Sequence, residues 1–169
     1  MAAKTGTYTL IASNTLGSAA ADVTFSSIPA TFTDLVCIIN LGITTSAYAP
    51  RIRFNSDTGS NYSDTILSGN GSTASSERHS SATSIVGSST GYNSNSLTNI
   101  FMFSVNDYSN ATTNKTVIGR NSSSTNEAAA FAGLWRNTSV INSLTIFIGA
   151  GNFMAGSTFK LYGIEAGNL

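Results

Sequence analysis

The chain has 169 residues, a mass of 17.5 kDa and 41% hydrophobic residues, which is enough for one domain with a real core. Charged residues are only 9%, and eight cations cancel eight anions, which excludes the basic face of a nucleic-acid binder and the basic helix of a membrane-surface protein. Ser, Thr and Asn fill 66 of the 169 positions, and their side chains compete with the helical backbone for hydrogen bonds, so long helices are not expected.

Short segments that alternate, or run apolar between Gly, Asn, Asp and Ser, read as strands. In chain order they are 5–12, 22–25, 34–41, 50–55, 63–67, 83–86, 97–105, 115–120, 128–135, 140–149 and 157–165. Residues 126–132 are the one run able to form a helical turn. About ten strands with no helix between them predict an all-β fold, an antiparallel β-sandwich of jelly-roll type, in a single domain over residues 1–169. Residues 1–5 are a candidate N-terminal arm. Two polar stretches, 68–83 and 88–96, read as long mobile loops, the first carrying the turn pair Asn70-Gly71.

Three segments are apolar on both faces: Leu35–Ile39, Ile100–Phe103 and Leu144–Ile148. A sandwich strand should show water one polar face, so something is expected to cover these. The cover is either a loop or arm of the same chain, or another subunit. Alternation puts Leu35, Cys37, Ile39 and Ile146 in the core and leaves Val36, Ile38 and Phe147 as candidates for one shared interface.

Motifs for chemistry are scarce. Residues 87–91 fit G-x-S-x-G, but no helix former follows the serine, and the chain's single histidine, His79, would have to be the base. One His and one Cys cannot assemble a zinc set. An oxygen-rich calcium site around Asn55, Asp57, Asn61 and Asp64 is conceivable, though Asn55–Gly59 also reads as a plain turn. The carboxylates Asp57, Asp64, Glu77, Asp107, Glu127 and Glu165 show no spacing that selects a catalytic pair. No enzyme activity and no cofactor are expected. Cys37 reads as a buried small hydrophobe. Trp135 reads first as core or edge packing, and Trp135, Tyr62, Tyr92 and Tyr108 are the candidates should the chain stack a sugar. No apolar run reaches 18 residues, and the first residues lack a signal-peptide core, so synthesis in a cytoplasm without export is expected.

Four phrases then stand out: Ser27–Leu35 (SIPATFTDL), Arg51–Ser63 (RIRFNSDTGSNYS), Gly133–Leu144 (GLWRNTSVINSL) and Gly156–Ile164 (GSTFKLYGI). They resemble a group of small virion proteins of tailed bacteriophages, including those of cyanobacteria, and the resemblance extends over most of the chain, roughly residues 5–165. The resemblance implies a structural component of the phage particle. A head decoration (cement) protein is the first expectation, built as a homotrimer on the major capsid protein or another virion protein. The alternative it implies is a tail or tail-fibre module that binds a receptor or host-surface glycan. Neither reading involves nucleic acid or a membrane.

Overall fold

A computed structural model describes residues 7–45, 48–88, 97, 99–123 and 127–165. Twelve strands are present: β1 (Thr9–Thr15), β2 (Asp22–Phe25), β3 (Asp34–Leu41), β4 (Pro50–Phe54), β5 (Tyr62–Gly69), β6 (Ala74–Ala82), β7 (Ile85–Val86), β8 (Asn99–Asn106), β9 (Lys115–Ser123), β10 (Glu127–Trp135), β11 (Leu144–Ile148) and β12 (Thr158–Ile164). No helix occurs among the described residues, and the segment read as a helical turn continues as β10.

The strands form an eight-stranded sheet, β1-β12-β3-β8-β9-β10-β5-β6, and a four-stranded sheet, β2-β11-β4-β7. Nested antiparallel pairs β1·β12, β2·β11, β3·β8 and β4·β7 define the connectivity. That is one long hairpin, rolled so that successive pairs fall in alternate sheets: the jelly roll. Two hairpins are inserted into it, β5–β6 after β4 and β9–β10 after β8, and the pairing of β5 with β10 adds both to the same sheet edge. The result is one wide sheet and one narrow one.

The core lies between them. Leu35, Cys37, Ile39, Phe101, Phe103 and Leu161 of the wide sheet meet Phe25, Ile52, Phe54, Leu144 and Ile146 of the narrow one, all buried. Burial also pushes the Cys37 thiol pKa well up, so it stays an inert neutral group. Along β9 burial alternates perfectly, with Val117, Gly119 and Asn121 inward and Ile118, Arg120 and Ser122 outward. Gly119 is required here. A Cβ on it would lie 2.2 Å from Phe131 Cζ and 2.8 Å from the Met102 carbonyl oxygen. The ring that occupies this space stacks on Phe101 at 5.4 Å.

Strand β6 corrects the expectation of a long mobile loop over 68–83. Its sequence, ASSERHSSA, holds no large apolar side chain and is almost wholly exposed, so it carried no periodic signal. Backbone pairing with β5 forms it instead. The hairpin turn at Asn70-Gly71 does join two strand ends, but Gly71 has φ +88° while Asn70 is not left-handed, so the loop is not type I′. Asn70 Oδ1 closes it by accepting the N–H groups of Ser72 and Thr73.

Candidate functional site

The aromatics proposed for stacking are inside the molecule. Trp135 is fully buried, in line with its packing reading, and Tyr62 and Tyr108 are fully buried too, which corrects the expectation that these rings meet a ligand; Tyr92 lies outside the described residues. Trp135 stacks on Tyr62 at 6.2 Å and against Phe54 at 5.6 Å. Its Nε1–H donates to Asp57 Oδ2 at 2.7 Å. Tyr108 donates to the Pro29 carbonyl. Each ring thus spends its polar handle on the protein's own turns.

The conceivable calcium ligands are likewise committed. Asp57 accepts from Gly59 N–H at 2.8 Å, from Asn61 Nδ2 at 2.9 Å and from Trp135. Asn55 Oδ1 accepts the N–H groups of Asn142 and Ser143, while its Nδ2 donates to Val140. Among the described residues no cluster of His, Cys, Asp and Glu is arranged to hold a metal. The 55–61 segment is therefore the turn, with Asn55 and Ser56 both left-handed at φ 50° and 56°. Burial works to raise the Asp57 pKa, but hydrogen bonds from Trp135, Asn61 and Gly59 and the Arg53 charge outweigh it and hold the carboxyl below its ordinary value.

His79 has partners of its own. Its Nδ1 lies 2.7 Å from Asp64 Oδ1 and its Nε2 lies 3.2 Å from Glu77 Oε1. Asp64, buried, also accepts the Val86 N–H at 2.9 Å, which ties β5 to β7 across the two sheets. The hydrogen bond to Asp64 raises the His79 pKa, and the two carboxylate charges add to that against the effect of burial. Asp64 and Glu77 are the carboxylates brought together, but the imidazole fills the space where a glycosidic bond would have to sit. The serine of the G-x-S-x-G motif, residue 89, lies outside the described residues.

The outer faces of the two sheets differ. On the narrow sheet the outward side chains are mostly polar: Thr24 hydrogen-bonds Thr145 at 2.9 Å, and Arg51 and Arg53 flank them. Phe147 sits here, half-buried, with the Arg53 guanidinium 4.5 Å above its ring. Val36 and Ile38 face outward from the wide sheet, on the opposite side of the sandwich. The single interface expected for Val36, Ile38 and Phe147 is therefore corrected: alternation read inside from outside, but not which layer.

The wide sheet's outer face is the apolar one. Leu10 (54% exposed), Ile100 (42%), Ile118 (60%), Leu67 (62%) and, beside β1, Tyr8 (54%) all lie on it, five of the seven exposed large hydrophobics among the described residues. The strand registers align them. One row runs Leu10, Tyr162, Val36, Ser104, Ile118, Ala132. The next runs Lys160, Ile38, Met102, Arg120, Ala130, Leu67. Between Tyr8 and Ile118, over the small Ser104, the face is hollowed into a groove of about 400 Å³. Leu10, Ile118 and Leu67 were missed from sequence, although the alternation in 115–120 already pointed Ile118 outward.

No protein-family model matches the chain, and no curated protein matches it. Among solved structures, galectin LEC-6 of Caenorhabditis elegans is similar at 10% identity, over 91% of this chain and 96% of that one, with a TM-score of 0.36. A likeness that slight carries no argument about this protein's role.

Proposed function

We propose that the protein is a non-catalytic structural subunit of a tailed-bacteriophage particle, a head decoration protein, and that it works through the outer face of its wide sheet. The observation that carries a structural role is this face: exposed Tyr8, Leu10, Leu67, Ile100 and Ile118, with half-buried Ile38 and Met102 among them, on one side of a sheet in a chain whose surface is otherwise mostly hydroxyl and amide. A monomeric soluble protein rarely shows water a contiguous apolar field of this kind, and such fields mark contact sites. The particle itself enters through the resemblance of the four sequence phrases. A surface that is polar without being charged also suits a component that must stay bound across changes in salt, because screening has little to act on. A glycan-binding role would rest on surface aromatics, and three of its four candidates are core residues.

Antibody labelling of purified particles by electron microscopy tests this. Label spread over the head is the expected result. Label confined to the tail overturns the decoration role, and intact particles without label overturn the particle reading.

A further inference from the structure

From the arrangement of the outer rows we infer that the partner on this face is a second copy of the same chain, packed sheet to sheet about a two-fold axis that runs along β8 at Ser104. This rests on the reading of the face as a contact surface and names its occupant.

The first argument is fit. Rotation about that axis lays β9 of one copy over β3 of the other, and β10 over β12, because these strands flank β8 symmetrically. Ile118, the protruding member of the first row, then meets the recessed Val36 of the partner, which is 6% exposed. Tyr162 meets Ala132. In the second row Met102 meets its own copy, and Arg120 lays its aliphatic stem over Ile38. Ser104 meets its own copy, Leu10 and Leu67 lie at the margins over Thr65 and Ser13, and no like charges are opposed in either row.

The second argument is extent. Seven of the eight strands overlap in this arrangement; about 4.8 Å apart and about 23–30 Å long, they span roughly the 800 Å² per partner that a stable contact needs. Strands of the two copies run near-parallel in this arrangement, as aligned sheets do when they pack. A net charge of zero leaves no long-range repulsion between copies.

The third argument concerns symmetry. A cyclic trimer joins two different patches, whereas a two-fold pair needs one patch that complements itself. The narrow sheet's outer face is polar, so among the described residues no second apolar field of this extent is present to close a ring. On this inference the chain pairs as a dimer and not as the homotrimer expected from sequence.

Light scattering on a sizing column tests the inference. Wild-type protein at about 100 µM should elute at twice the 17.5 kDa chain mass. Ile118→Arg should elute as a monomer with unchanged circular dichroism, since that side chain is largely exposed and replaceable without disturbing the core. Thr145→Arg, on the other sheet, should remain a dimer. Ser104→Cys should be captured as a cross-linked dimer by a bismaleimide spanning the ~10 Å between packed sheets, while wild type, whose Cys37 is buried, should not react. A wild-type monomer or trimer, or a Ser104→Cys protein that does not cross-link, overturns the inference. The particle reading fails separately: a dimer absent from particles rejects that reading alone, and a monomer that still labels heads rejects the pairing alone.

Discussion

At the residue scale, the few ionisable groups are used as fasteners. Lys115 is fully buried, and its ammonium donates to the carbonyls of Asn110, Thr113 and Thr138 at 2.6, 2.7 and 3.0 Å, so one cation closes two loops. Burial lowers its pKa, an effect that the Asp107 charge opposes. His79 fastens the inserted β5–β6 hairpin to the jelly roll through Asp64 and Val86. Its folded-state pKa is raised, so its contribution to stability is complete below the unfolded value of about 6.5 and is lost as pH rises through the higher folded value. As it is the only histidine, the thermal midpoint of wild type should fall between pH 6 and pH 8 more steeply than that of His79→Gln. Differential scanning calorimetry across that range checks this, and parallel curves for the two proteins would contradict it.

At the scale of single elements, legibility followed side-chain pattern. Each segment read as a strand contains one, because alternating apolar residues have to bury one face and Gly, Asn and Asp end the run. The strand β6 was invisible because backbone pairing and polar side-chain bonds, not apolar alternation, hold it to β5, and its Glu77 and Arg78 serve an edge strand by discouraging further pairing. Burial of Tyr62 and Tyr108 was equally hidden, since an aromatic beside Asn and Ser looks alike whether it packs inward or meets water. The close approach of β9 to the Phe131 ring was another such feature, because only three dimensions reveal what faces a glycine. Replacing an unobstructed glycine by alanine commonly stabilises a protein by about 0.4–1 kcal/mol. At Gly119 the added carbon meets a ring and a backbone carbonyl, so Gly119→Ala should instead cost about 1–3 kcal/mol, the usual range for overpacking. Urea unfolding measures it, and a variant as stable as wild type would show that the ring moves freely.

At the scale of the molecule, two insertions turn an eight-strand jelly roll into a platform. The narrow sheet covers one side of the wide sheet's core strands, and the added hairpins carry the outer face beyond them by four strands. The apolar excess of the three two-sided segments was visible in sequence, and so was the need for a cover. Its location was not, because Leu35–Ile39 and Ile100–Phe103 belong to one layer and Leu144–Ile148 to the other. Only the first layer has an unshielded apolar exterior; in the second, Arg53 covers Phe147 from within the same chain. The proposed structural role therefore rests on one exposed face, and the most direct measurement looks at it in place. A cryo-EM reconstruction of the assembled particle, resolved to side chains, should show Ile118, Met102 and Leu67 buried against protein. The wide sheet's rows lying in water would contradict it.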